Sequence, residues 1–291
     1  MKYIEKHPMI MIVVGVMGIS MSAILVKYST APSAVTAAFR LLWTVVLMTP
    51  VVFGKKEVRD ELYSMDKKQR WLSALSGVFL AAHLALWFES LRHTSVASST
   101  TIVCTEVIWV SLGFCLFMKG KLSRKAIGAI AVTFLGSVLI ACADSGAGGL
   151  HLYGDILALL AAMATAVYTL IGGVVREKVS TTVYTYVVYW ACALVLVVTC
   201  LVQGQSLVSY GINPVVIGFL LSVFSTILGH SIFSWCLKYF SISFVSASKL
   251  CEPVGAAIAA GILFGEIPAV LQVAGSILIL GGVFYYSRIE K

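Results

Sequence analysis

A chain of 291 residues that is 59% hydrophobic and only 12% charged, with a mean hydropathy of +0.96, lies far from the ~25% charge of a soluble domain. Its net charge of +8 sits in short gaps beside apolar runs, which excludes nucleic acid as the partner and points to a lipid bilayer. The seven cysteines lie in or at the ends of those runs without CxxC spacing, and read as small buried hydrophobes rather than disulfide or metal ligands.

Residues 1–8 are short and basic and lead into a first apolar run at 9–27 with no small-x-small cleavage site, so this run is expected to stay as a span. Further runs follow at 33–53, 71–91, 96–117, 124–142, 152–172, 181–202, 214–235, 243–265 and 268–287. About 20 apolar residues cross a ~30 Å core, and barrel strands need only about 10. The pattern therefore predicts an all-α membrane protein of ten transmembrane helices. Pro32, Pro214 and Pro268 fall at or near helix starts, where a missing N–H costs little. Most gaps are short, which makes consecutive helices antiparallel neighbours. The 54–70 gap is dense in charge and reads as a solvated loop, not a site.

The basic residues alternate between gaps. Seventeen of 21 fall on one side: Lys2, Lys6, the six within 54–70, Lys119, Lys121, Arg124, Lys125, Arg176, Lys178, Lys238, Arg288 and Lys291. The other side has only Lys27 and Arg92, and Arg40 and Lys249 lie within spans. The positive-inside rule then places both termini in the cytoplasm and requires an even number of spans.

The Gly-rich gap at 145–149 divides the chain into 1–145 and 150–291, five spans each. Five is odd, so the halves enter the bilayer from opposite sides, as in inverted-repeat transporters. An offset of 146 residues places Glu106 on Glu252, Arg92 on Lys238 and Gly136 on Gly282. Acids within spans are rare, so Glu106–Glu252 is the most telling match.

Several stretches carry a family resemblance. They are Ser246-Ala-Ser-Lys-Leu-Cys-Glu-Pro-Val254, Gly261-Ile-Leu-Phe-Gly-Glu266, Gln272, Gly275, Gly281-Gly-Val283, Ala37-Ala-Phe-Arg-Leu41, Gly154-Asp155 and Ala166-Val-Tyr-Thr169. In this order and topology the chain resembles the EamA-type ten-helix branch of the drug/metabolite transporter superfamily. It departs from that pattern at Val107, where the family has proline, at Gly120, where it has glutamate, and around Gly18–Ser22, which lacks a tryptophan. The resemblance implies amino acids and related compounds as the substrate class, with export a common direction.

A charge at the bilayer centre costs about 2.5–3.5 kcal/mol on insertion scales, so each one needs a reason. Glu106 and Glu252 lie about 15 and 14 Å from opposite faces by helical rise, both near the midplane. Lys249, three residues before Glu252, shares its helix face and is expected to pair with it. These three either form a structural pair and a protonated packing residue, or line a cavity that binds a polar solute or exchanges protons. Arg40 is expected to snorkel outward or pair with Glu89, or else to bind an anion. Glu89 and Arg92 read as a rim pair, and Asp155 and Glu266 as interfacial caps. His83 and His230, one residue off repeat equivalence, are packing residues or proton carriers. Trp87, Trp235 and Tyr168 could stack on a substrate, as could Trp109, although most such aromatics are core or interface anchors.

The expected protein is a plasma- or inner-membrane secondary transporter of small polar metabolites that works by alternating access. Protons are a candidate coupling ion, and the lipid bilayer and a small solute are its partners. The sequence calls for no cofactor or metal and leaves a homodimer open. An importer of a nucleoside, amine or vitamin is the alternative. An intramembrane enzyme is a distant one, since neither HExxH nor GxSxG is present.

Overall fold

The computed structural model describes residues 8–94, 96–144, 152–255, 258 and 269–289. The described residues form helices and no strands: α1 (Pro8–Lys27), α2 (Ser33–Gly54), α3 (Lys56–Ser64), α4 (Lys67–His93), α5 (Val96–Val103), α6 (Glu106–Phe117), α7 (Arg124–Asp144), α8 (Leu152–Val175), α9 (Thr181–Val202), α10 (Asn213–Cys236), α11 (Ile242–Ser248) and α12 (Val270–Ile289). Seven described helices are long and apolar enough to cross a membrane: α1, α2, α4, the 99–117 stretch that includes α6, α8, α9 and α10. Of the other three expected spans, 124–142 coincides with α7 and 268–287 largely with α12, while the described part of 243–265 comprises α11, the turn at Lys249–Cys251 and helical residues 252–255 and 258. Glu266 and Pro268 lie outside the described residues.

Local chemistry sets several helix starts. Asp66 and Gln69 form a reciprocal capping box: the Asp66 carboxylate accepts from the Gln69 N–H at 2.7 Å, and Gln69 Oε1 accepts from the Asp66 N–H at 3.1 Å. It starts α4 at Lys67, four residues ahead of the apolar run. Ser180 and Ser241 cap α9 and α11 by accepting from Val183 and Phe244 N–H groups. The charged 54–70 loop contains α3, which buries no residue. Its Glu61 accepts a 2.6 Å hydrogen bond from the Ser180 N–H and ties the loop to the start of α9.

Two spans break near their middles, at positions the 146-residue offset relates. The first is interrupted at Cys104–Thr105, just before Glu106. There the Thr105 hydroxyl donates to the Ile102 carbonyl at 2.6 Å, and the Val107 N–H turns to Cys104 O at 3.4 Å. A hydroxyl that competes for a carbonyl in this way loosens the α-helical ladder. The second break is a 3-10 turn at Lys249–Cys251, just before Glu252. Pro253 follows it, and a proline removes the bond to the carbonyl four residues back, here that of Lys249. The middle of α10, Leu221–Ser231, is wound as π-helix; such segments concentrate at functional sites.

Packing partners exchange under the same offset. Helix α4 packs on α8 and α9, while α10 packs on α1 and α2. The pairs α2–α9, α6–α11 and α7–α12 map onto themselves. The α7–α12 contact repeats at single residues. A Cβ on Gly136 would lie 2.7 Å from Gly275 O and 2.8 Å from the Ile279 side chain. A Cβ on Gly282 would lie 3.2 Å from Ala129 O and 2.2 Å from the Thr133 side chain, the offset mates of the same atoms' residues. Glycine lets these backbones approach closely without lipid between them.

Candidate functional site

The two breaks and the π stretch converge. Lys249 Nζ donates to Glu106 Oε1 at 2.7 Å and to Thr169 Oγ1 at 3.3 Å, and Thr169 Oγ1 donates to the same Glu106 oxygen at 2.8 Å. The two charged side chains are 13% and 7% exposed, so the pair is nearly dry. Glu106 thus binds Lys249 across the bundle, and the expected pairing of Lys249 with Glu252 is not the one found. Lys249 turns instead toward Glu106 and Thr169, which together offer its ammonium two oxygens. Glu252 is half-buried, and among the described residues its carboxylate has no hydrogen bond or ion pair. Its main-chain carbonyl accepts from Ser20 Oγ at 3.1 Å.

A central cavity of about 40 Å³ collects Glu106, Lys249 and Glu252 with Ser22, Cys104, Thr165 and Phe233. His83, Trp87 and His230 complete its polar and aromatic wall. That volume accommodates water rather than a metabolite; ligand pockets begin at about 300 Å³. His83 Nδ1 lies 3.1 Å from the Ala161 carbonyl, and its ring stacks on Trp87 at 5.9 Å and meets His230 edge-on at 6.3 Å. His230 Nδ1 and Trp87 Nε1 are buried and have no hydrogen-bond partner among the described residues. Tyr168 stands behind this wall. Its ring is 6.0 Å from His230, and its hydroxyl bonds Ser234 Oγ at 3.0 Å. Trp235 is not part of the site: its ring packs on Tyr239 at 4.3 Å, away from the cavity. Trp109 belongs to a separate apolar cluster.

Arg40 neither snorkels nor pairs with Glu89. It is fully buried, with Nε donating to Thr226 Oγ1 at 2.7 Å, Nη1 donating to Ser22 Oγ at 3.3 Å and Nη2 without a partner. Packing of α10 and α4 against α2 covers it before it can reach an interface. Glu89 pairs with His93 at 3.0 Å instead of Arg92. Arg92 Nη1 donates to the Ala31 carbonyl at 3.5 Å. Asp155 accepts from Thr94 Oγ1 at 2.8 Å and joins the end of α4 to the start of α8. Arg176, expected in a basic loop, is buried; it donates to Ser234 O at 3.0 Å and to Val179 O.

Thr169, Ser22, Thr226, Phe233 and Cys104 are site neighbours beyond those expected from sequence; of these, Thr169 directly follows an expected residue, Tyr168.

A family description, EamA-like transporter family, matches residues 7–142 and again 152–288. An uncharacterized transporter of Clostridium kluyveri is 23% identical over 273 residues, covering 91% of this chain and 86% of its own. An uncharacterized transporter of Archaeoglobus fulgidus is 23% identical over 255 residues, 85% of each chain. A probable amino-acid metabolite efflux pump of Salmonella typhimurium is 24% identical over 184 residues, 60% of this chain and 61% of that one. A crystal structure at 14% identity superposes with a TM-score of 0.81 over 98% of both chains, a likeness of fold.

Proposed function

Because the chain belongs to the EamA-like transporter family, we propose that it is a secondary active exporter of small polar metabolites, amino acids and related compounds foremost. In this reading 1–145 and 150–291 are two inverted five-helix units that rock about the central cavity, with both termini in the cytoplasm. The exchange of packing partners between the halves supports the inversion. The Salmonella relative's name supports the substrate class.

The observation that carries the reading is the unpaired Glu252 carboxylate beside the dry Glu106–Lys249 pair, both at helix breaks that line one cavity. Broken helices at the midplane are where inverted-repeat transporters place substrate and coupling ions. Glu252 is free to take a proton or a solute ammonium. Lys249, held by Glu106, is placed to exchange that partner for a solute carboxylate. His83 and His230 flank the route.

Purified protein in proteoliposomes, given labelled amino acids, amines and nucleosides, is expected to show saturable flux driven by a pH gradient. Glu252→Gln should lower that flux at least about tenfold, the equivalent of ~1.4 kcal/mol of lost interaction, and remove its dependence on the gradient. Saturable flux that is unchanged in both Glu252→Gln and Glu106→Gln would remove these acids from the mechanism.

A further inference from the structure

A second polar cavity, of about 270 Å³, opens at the end of the bundle opposite the 54–70 loop. Its lining contains both Lys27 and Arg92, the two loop cations on that side of the chain. Positive-inside bias works against basic residues at that end. The chain keeps two there, and both face the same cleft.

The rest of the lining suits an anion. Ser29 and Thr36 contribute hydroxyls 2.6 Å apart, and among the described residues no acidic one lines the cleft. Two like charges around one concave site repel each other and focus a positive potential that a bound oxyanion would neutralise. Glu89, three residues before Arg92, does not line the cleft and bonds His93.

The cleft also adjoins the central cavity. Phe88 lines it, and the Arg40 guanidinium lies 5.9 Å from the Phe88 ring centroid. Arg40 donates to Ser22, which lines the central cavity, and its buried Nη2 has no partner among the described residues. Lys27 and Arg92, then Arg40, then Lys249 make a succession of cations from the cleft to the midplane.

We propose that this cleft is an outer binding site for the carboxylate of a solute, held by Lys27 and Arg92, with Phe88 and Arg40 between it and the central cavity. Its role as a way station rests on the transport reading above. The binding itself does not, and is tested apart from flux.

The test is thermal unfolding of the purified full chain in an uncharged detergent. The probes are sodium succinate, the neutral succinamide at matched ionic strength, and phosphatidylglycerol as the alternative source of an oxyanion. Succinate is expected to raise Tm by about 3 °C at ten times its dissociation constant, and succinamide to leave it unchanged. The Lys27→Gln, Arg92→Gln double variant should lose the shift. Lys27→Arg, Arg92→Lys, which keeps both charges, should retain it, as should Lys125→Gln at the other end of the bundle. Equal shifts with succinate and succinamide, or a succinate shift that survives in the double variant, would overturn the site. A shift from phosphatidylglycerol alone would make the cleft a lipid-headgroup contact and overturn it as a solute site. A chain that passes this test but shows no saturable flux would keep the site and lose the transport reading.

Discussion

A carboxylate and an ammonium 2.7 Å apart inside a bilayer depend on each other for their charge. Removing one leaves the other buried and uncompensated, at about 3–5 kcal/mol, whereas removing both is much milder. Lys249→Met should therefore lower the unfolding temperature sharply. Adding Glu106→Gln to that variant should recover most of the loss; a double variant as unstable as the single one would refute the pairing. Thr169→Val should cost about 1–2 kcal/mol, since the Glu106 oxygen loses one of its two donors. The acids at 106 and 252 were visible in the sequence because charge is rare in apolar runs. The partner of Glu106 was not, because Lys249 comes from a helix 143 residues further along, where sequence spacing carries no information. Thr169 was invisible for another reason. A threonine in such a span ordinarily bonds the carbonyl four residues back, as Thr44, Thr49, Thr133 and Thr199 do here. Thr44 and Thr49 also bond across the bundle, to Ser222 and Tyr186, so residue type alone does not mark the threonine that meets Glu106.

At the scale of the element, the described residues of the ten apolar runs are mostly helical, and length and hydropathy sufficed to find them. The midplane breaks did not show. Pro253 is a visible cause of the second, but the first depends on the Thr105 hydroxyl and has no proline or glycine to announce it. The π stretch likewise has no sequence signature, yet it bears on the one-residue slip between His83 and His230. A π turn bonds i to i+5 and takes up an extra residue, and within this stretch His230 is brought to face His83. The α7–α12 crossing gives a direct test. Gly136→Ala pushes a methyl against the Gly275 carbonyl and the Ile279 side chain, and should lower both Tm and folded yield. Gly281→Ala, with open space where its methyl would stand, should stay within about 0.5 kcal/mol of the parent. Equal stability of the two variants would show that the close approach does not hold these helices together.

For the whole molecule, the division of basic residues between gaps predicts a sidedness that labelling can read. With the native cysteines replaced, a membrane-impermeant maleimide should label Val208→Cys on intact cells. It should label Ser64→Cys only after permeabilisation, and the reverse pattern would invert the proposed topology. Arg176 shows the limit of counting charges: it was assigned to a loop, but it is buried against the ends of α8 and α10, a placement that depends on packing rather than on composition. The long sequence separation of the Glu106–Lys249 pair, 143 residues, has its own consequence for biosynthesis. At about 5–20 residues per second, Glu106 enters the bilayer some 7–30 s before Lys249 leaves the ribosome. During that interval the nascent chain carries an acid without its cation, best tolerated in protonated form, and only the ninth span relieves it. A chain truncated after the first half should remain in that exposed condition and fall to membrane proteolysis, so that synthesis of the last spans completes the first half as much as the second.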